Sequence, residues 1–295
     1  MPSDGSSPST CFRKQTRSKR SPLSKREGRV LPKSAPSPEE PARRELWIRA
    51  EAWSAFPGLI HGFSRRLPKT LATASIGASL GAPDCPLHTL TQVHGNTIVP
   101  IGGGEATSAL EADGMLTTEQ NVLLGIKTAD CVPILLIAPQ KRGERGNVSS
   151  NRYKKLDTVP LLGALHAGWR GTLKAIALRA VELCVEQWDI APTQLWAALG
   201  PSIGGCCYQV GSEIGEPLFE RWGDGRPTTW NRQGDKGYLD LRAINRMQLI
   251  QAGVPQTQIH SVGPCTFCHP DEFTSYRRER AQAGRQLSVI GWRPH

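Results

Sequence analysis

No stretch of this 295-residue chain approaches the roughly 20 consecutive apolar residues of a membrane helix, so no membrane span is expected. The first residues lack the apolar core of a secretory signal, which points to a cytoplasmic protein. Eight cysteines in that setting are expected as reduced thiols. Histidine is scarce. Seven residues with no His-x-His pair are too few for a centre of several copper ions held by paired imidazoles. No internal repeat is visible.

Acidic residues are thin at one end. Residues 1–44 hold 11 Lys/Arg against 4 Asp/Glu, a balance of +7 out of the chain's +10. Only Asp4 interrupts the basic series in the first 26 residues. A segment rich in Ser, Pro and Arg cannot bury enough apolar surface to fold, so residues 1–45 are expected as a disordered tail. Pro2, Pro8 and Pro22 oppose the amphipathic helix of a transit peptide. A weak contact of this tail with nucleic acid or an anionic surface is the less favoured reading, so no nucleic-acid partner is expected. Residues 46–295 are expected as one domain, since the chain is 38% hydrophobic and 21% charged.

Within that domain, 57–63, 97–101, Val122–Ile126 and Val132–Ala138 read as strands. The polar segment 140–158 reads as a surface excursion. Strand Leu161–His166 precedes a helix with Thr172 as N-cap and apolar positions at Leu173, Ile176, Ala177, Ala180, Val181, Cys184, Val185 and Trp188. Strand Leu195–Leu199 follows. A second helix runs from an Asp240 cap to Gly253, with Pro255 beyond. Strands Ile259–Val262 and Leu287–Trp292 close the chain. Many strands and few helices predict a mixed α+β fold rather than a doubly wound sheet.

Three segments end in reactive chemistry: Gln92-Val-His94-Gly, Thr128-Ala-Asp-Cys131 and Leu161-Leu-Gly-Ala-Leu-His166-Ala-Gly-Trp-Arg170-Gly171. His94, Cys131 and His166 lie 37 and 35 residues apart, so no local ligand spacing links them. Each sits beside an apolar run or a glycine turn, where side chains can emerge at one sheet end. A thiolate and two imidazoles suit zinc with an open fourth position. The competing reading is a metal-free Cys131 thiolate activated by His166. The glycine-rich turns 168–171 and 200–205 offer backbone N–H groups to a phosphate, and Arg170 adds a charged fork. Of Arg277 and Arg278, one reads as a surface charge and the other as a clamp for an anion.

Cys265-Thr-Phe-Cys268-His269 matches a haem-attachment pattern, which the missing export signal sets aside. Pro264-Cys265-x-x-Cys268 also matches half of a nucleobase-deaminase zinc signature, with Cys184-Val-Glu186 the sole candidate for the other half. Cys265 and Cys268 read instead as buried or turn cysteines, and Cys206-Cys207 as packing.

Thr91-Gln-Val-His94-Gly, Ala112-Asp113-Gly114, Thr128-Ala-Asp-Cys131-Val-Pro, His166-Ala-Gly-Trp-Arg-Gly171, Gly200-Pro-Ser202-Ile-Gly, Cys207-Tyr208 and Ser275-Tyr-Arg-Arg278 occur in one order. Together they closely resemble the laccase-domain family, also called YfiH-type or multicopper polyphenol oxidase-like, from about His61 to Trp292. The sequence departs from the family pattern at Leu67-Pro-Lys-Thr70, at Gly81–Pro86 and in the length of 140–158.

The resemblance implies a single-domain α-β-β-α sandwich with mixed sheets. It implies a zinc site at His94, Cys131 and His166, with copper as the other possible occupant. It also implies phosphorolysis of adenosine, inosine and methylthioadenosine, an adenosine deaminase activity, and a monomer whose partners are purine nucleosides and phosphate. Cys131, His166, Asp130 and Arg170 are then the catalytic candidates, with Asp130 favoured as an orienter of the ligands. Arg66, Gln92, Ser202 and Arg278 are candidates for substrate or phosphate contact. Two rival readings remain. One is a Cys131/His166 hydrolase that edits peptidoglycan precursors, and the other is a non-catalytic binding protein.

Overall fold

The computed structural model describes residues 45–68, 75–102, 107–139, 160–222 and 229–293. The expectations for residues 1–44 and 140–158 lie outside the described residues. Among these residues the strands are β1 (Trp47–Ile48), β2 (Leu59–Ser64), β3 (Leu87–His88), β4 (Ile98–Pro100), β5 (Gly114–Thr117), β6 (Leu123–Thr128) and β7 (Val132–Ala138). They continue with β8 (Leu161–Ala167), β9 (Trp196–Leu199), β10 (Gln209–Gly211), β11 (Trp230–Gln233), β12 (Lys236–Leu239), β13 (Ile259–Ser261) and β14 (Gln286–Trp292). The α-helices are α1 (Ser75–Ser79), α2 (Trp169–Leu173), α3 (Ile176–Trp188), α4 (Ser212–Trp222), α5 (Leu241–Gln251) and α6 (Tyr276–Glu279).

Two mixed sheets form the centre. One has five strands in the order β1-β2-β14-β6-β3, and the other has six in the order β13-β9-β7-β8-β5-β4. Most pairs are antiparallel; β3–β6, β4–β5 and β9–β13 are parallel. The sheets face each other through Phe63, Leu124, Ile126 and Ile290 on one side and Met115, Leu135, Ile137, Leu162 and Ala198 on the other. The opposite face of the six-stranded sheet, with Ile134, Leu136, Leu165 and Leu199, is covered by α3, α4 and α5. Hence β7 is apolar at every position: Leu135 and Ile137 meet the second sheet while Ile134 and Leu136 meet helices. Each such side chain contributes about 1.5–3 kcal/mol on burial. The outer face of the five-stranded sheet packs Leu123, Leu287 and Val289 against Ile76 and Leu80 from α1 and its exit. The fold is therefore the expected α-β-β-α sandwich with mixed sheets.

The helix expected from a Thr172 cap is instead two pieces. Thr172 lies inside α2, and Ala175 breaks the chain with a left-handed φ of 61° before α3 begins. Side chains of α5 explain the break. Gln248 Nε2 donates to the Thr172 carbonyl at 2.7 Å, and Asn245 Nδ2 donates to Thr172 Oγ1 at 2.8 Å. Tertiary partners thus occupy groups that a continuous helix would use. At α5 the reading was close: Asp240 Oδ1 accepts from Ala243 N at 3.0 Å, and Gly253 follows the helix at φ 94°.

Candidate active site

Strands β7 and β8 run antiparallel with Pro133 opposite His166, so the start of one and the end of the other share a sheet end. Cys131 lies immediately before β7 and His166 lies near the end of β8. His94 reaches them from the loop before β4, held at a left-handed φ of 60°. One donor atom from each of the three lies within 4.8 Å of the others. The two imidazoles meet edge to face, with ring centroids 4.8 Å apart.

Asp113 organises this group, and the sequence reading gave it no role. Its Oδ1 accepts from His166 Nδ1 at 2.7 Å and from His94 N at 2.9 Å. Its Oδ2 accepts from Gly95 N at 2.6 Å and more weakly from Val93 N at 3.3 Å. Burial pushes this carboxyl up, but the His166, Gly95 and His94 hydrogen bonds outweigh it and hold the group below the usual carboxylate range. The carboxylate therefore fixes the His94 loop and keeps the proton of His166 on Nδ1, which leaves Nε2 as the free donor atom. The signal available in sequence was Asp113 within Ala112-Asp-Gly114.

Cys131 and His166 are strongly coupled. Burial pushes the thiol up, but the charges and hydrogen bonds of His166 and His94 bring it down to about 6. Burial pushes His166 down, while the Cys131 charge and the Asp113 hydrogen bond carry it up to about 9. A thiolate facing two imidazoles is a soft donor set that suits zinc or copper. The local backbone is shaped for it too. A Cβ on Gly168 would lie 3.2 Å from both Cys131 Sγ and His94 Cδ2 and 3.9 Å from His166 Cε1. The residues present fit a single metal ion.

The triad opens into a cavity of about 800 Å³. Gln92, Asp130 and Arg170 line it, so six of the nine expected residues come together. Arg170 lies 4.4 Å from the ring centroid of Trp169, another lining residue. Gln92 is latched to β6, donating to the Lys127 carbonyl at 2.8 Å and accepting from Lys127 N at 2.9 Å. The Asp130 carboxylate is already filled by Thr266 Oγ1 at 2.7 Å, Ser275 Oγ at 3.0 Å and Arg277 N at 2.7 Å. With those partners it forms part of the cavity wall.

The other three expected contacts are committed elsewhere. Ser202 Oγ is buried and accepts from the Arg242 guanidinium at 3.1–3.2 Å. Arg66 binds Glu279 and the carbonyls of Pro270 and Phe273. Arg278 binds the carbonyls of Thr266, Phe267 and Phe273. The cavity instead receives Arg277, Arg280, Arg285 and Lys127. Choosing Arg277 over its neighbour required the start of α6, where Ser275 Oγ accepts from Arg278 N. The lining thus holds five cations, and Asp130 is its single carboxylate. Tyr208, pushed up to about 12 by burial and nearby negative charge, stays neutral on the same wall.

The reading of Cys206-Cys207 as packing residues needs correction, while Cys268 does lie in a turn as expected. Cys206, Cys207, Cys265 and Cys268 are one cluster. Cys184 does not join them. It lies on the buried face of α3, which agrees with setting the deaminase-like pairing aside.

The family model described as multi-copper polyphenol oxidoreductase laccase matches residues 71–149 and 156–293. The chain is 37% identical over 211 residues to "Purine nucleoside phosphorylase YlmD" of Geobacillus stearothermophilus, covering 68% of this chain and 70% of that protein. It is 34% identical over 188 residues to "Adenosine deaminase RL5" of an unknown prokaryotic organism, covering 63% of this chain and 64% of that protein. The crystal structure of YlmD from Geobacillus stearothermophilus superposes with a TM-score of 0.70 at 29% identity, covering 85% of this chain and all of that one.

Proposed function

Because the chain belongs to the multi-copper polyphenol oxidoreductase laccase family, we propose that it is a zinc-dependent purine nucleoside phosphorylase with adenosine deaminase activity. Adenosine, inosine and methylthioadenosine are its nucleosides, and it acts as a cytoplasmic monomer through residues 46–295. One observation carries the reading: a soft-donor triad opens into a cavity that gathers five cations against a single, internally satisfied carboxylate. Such a wall suits phosphate beside a nucleoside. The oxidase name fits less well, because two imidazoles and one thiolate hold one ion and not a copper cluster.

His94, Cys131 and His166 would hold the metal, which supplies Lewis-acid and water-activating chemistry when bound. Asp113 orients His166 and the His94 loop. Arg170, with Arg277, Arg280 and Lys127, places the phosphate. Trp169, Tyr208, Ile203 and Leu241 offer apolar and aromatic surface to the purine and ribose. In phosphorolysis a phosphate oxygen bonds to the anomeric carbon. The glycosidic C–N bond breaks with its electron pair going to the purine, which then takes a proton. In deamination water adds at purine C6 and ammonia leaves.

The test is product analysis with adenosine, with and without phosphate and chelator. Phosphate-dependent release of ribose 1-phosphate and free base, abolished by strong chelation, is expected. Arg170→Ala should weaken phosphate use about ten- to hundred-fold, the worth of a charge-assisted hydrogen bond of roughly 1.5–3 kcal/mol, while metal content stays. A cysteine hydrolase would need no phosphate, resist chelation and be inactivated by thiol alkylation. Full turnover in metal-free, phosphate-free protein refutes the proposal.

A further inference from the structure

A second cluster of soft donors stands apart from the triad. Cys206 and Cys207 lie on the loop that leaves β9, and Cys265 and Cys268 on the loop that leaves β13. The four sulfurs all lie within 4.8 Å of one another. Cys268 Sγ is 3.3 Å from Cys207 Sγ and 3.7 Å from Cys206 Sγ. Four thiolates arranged tetrahedrally about zinc at roughly 2.3 Å would sit about 3.8 Å from each other. The observed spacing brackets that value.

Three further features point the same way. Cys265 Sγ accepts backbone N–H groups from Gly204, at 3.2 Å, and from Phe267 and Cys268. These donors favour a sulfur that carries negative charge. Cys268 contacts two sulfurs at once, so neither contact stands out as a disulfide pair. A cation is also at hand. Arg242 is positioned for its charge to act on Cys265 and Cys206, while its hydrogen bonds go to Ser202 Oγ and the carbonyls of Gly263 and Pro264.

We propose that Cys206, Cys207, Cys265 and Cys268 form a second metal site, a closed four-thiolate zinc centre that clamps the two loops together. Zinc entry displaces four thiol protons to solvent and leaves the centre with a charge of −2, which Arg242 faces. With four protein ligands there is no open position, so the role is structural. The loops are already in register: Ser202 bridges Cys265, and Thr266 N donates to the Ser202 carbonyl at 3.0 Å. Arg278 holds the Thr266 and Phe267 carbonyls of the same turn. Ser202 and Arg278 therefore serve this clamp. It acts on the cavity wall through Tyr208, next to Cys207, and through Thr266, which donates to Asp130. The inference does not depend on the identity of the substrate.

The experiment counts metal in the full chain. Intact protein should carry about two zinc ions. A Cys131→Ser, His166→Ala double variant should keep about one, and its zinc absorption spectrum should show a sulfur-only shell. Cys265→Ser with Cys268→Ser should lose one ion and keep the other. If that pair fails to fold, cobalt loading of the Cys131→Ser, His166→Ala chain reads the site directly. Tetrahedral thiolate–cobalt bands are expected, with all four thiols protected from alkylation. Loss of all zinc from that chain with the four thiols freely alkylated overturns the proposal. So does a disulfide at Cys268 in protein purified without oxygen, or an iron–sulfur chromophore.

Discussion

Asp113→Asn is the sharpest perturbation the structure offers, because it changes one atom in a fully buried group. Asp113 accepts four hydrogen bonds and donates none. An asparagine must point its NH₂ at one pair of donors. If the amide nitrogen faces Gly95 N and Val93 N, the loop that carries His94 loses its anchor. If it faces His166 Nδ1, that nitrogen must give up its proton and accept instead. The imidazole proton then moves to Nε2 and removes the free donor atom from the triad. Both orientations damage the same site by different routes.

The cost follows from the bonds lost. A hydrogen bond to a charged group is worth roughly 1.5–3 kcal/mol, and leaving donors buried and unmatched adds to it. We expect a net loss of about 3 kcal/mol in stability, which for a domain of this size lowers Tm by about 6–12 °C. Removing a carboxylate that orients a ligating histidine typically costs 10–100-fold in metal affinity, and a loss in that range is expected here. Calorimetry of the apo-protein and competition with a chromophoric chelator measure the two effects separately. Wild-type zinc affinity together with an unchanged apo-protein Tm would refute the assignment of Asp113.

Two further outcomes follow from residues outside the triad. Burial, with the Arg49 charge, brings His61 down to about 4, and its Nε2 accepts from Ala50 N at 3.0 Å. The unfolded chain takes up that proton near pH 6.5 and the folded chain only near 4. Stability is therefore full above about 6.5 and falls as pH drops toward 4, by up to about 3 kcal/mol, and His61→Gln should flatten that part of a denaturant-derived stability profile. A profile of equal slope in both proteins contradicts it. Arg278→Ala should lower Tm through its lost carbonyl contacts while leaving the KM for phosphate within about two-fold, whereas a charge-assisted phosphate contact would be worth about ten-fold or more. Steady-state kinetics at saturating nucleoside decides between them.

The parts of the fold legible in sequence were those where one period dominates. The run Val132–Ala138 is apolar without interruption because both its faces are covered, and α3 shows its buried stripe at Ile176, Ala177, Ala180, Val181 and Cys184. The three-stranded sheet β10-β12-β11 and helix α4 were not anticipated. β11 and β12 are only four residues each, β11 is largely exposed, and α4 carries Pro217 in its interior, so neither period nor propensity marks them. The split between α2 and α3 was hidden for another reason. It depends on Asn245 and Gln248, more than 70 residues away in the chain.

The site was legible as donor types and not as roles, and Gly168 shows the difference. In sequence it belongs to a glycine turn suited to phosphate. In the structure its backbone sits at φ −76°, ψ 175°, which alanine adopts freely, so backbone freedom is not why glycine stands there. The constraint is the 3.2 Å clearance to Cys131 Sγ and His94 Cδ2. Gly168→Ala must push those donors by a few tenths of an ångström. Metal–ligand distances tolerate only about 0.2 Å, so zinc affinity should fall about ten-fold or more. The apo-protein should unfold within about 1 kcal/mol of wild type, since no hydrogen bond is lost and alanine for glycine at this extended N-cap position costs little. Chelator competition reads the first quantity and denaturant unfolding of apo-protein the second. Unchanged zinc affinity with weakened phosphate binding would return Gly168 to the phosphate cradle.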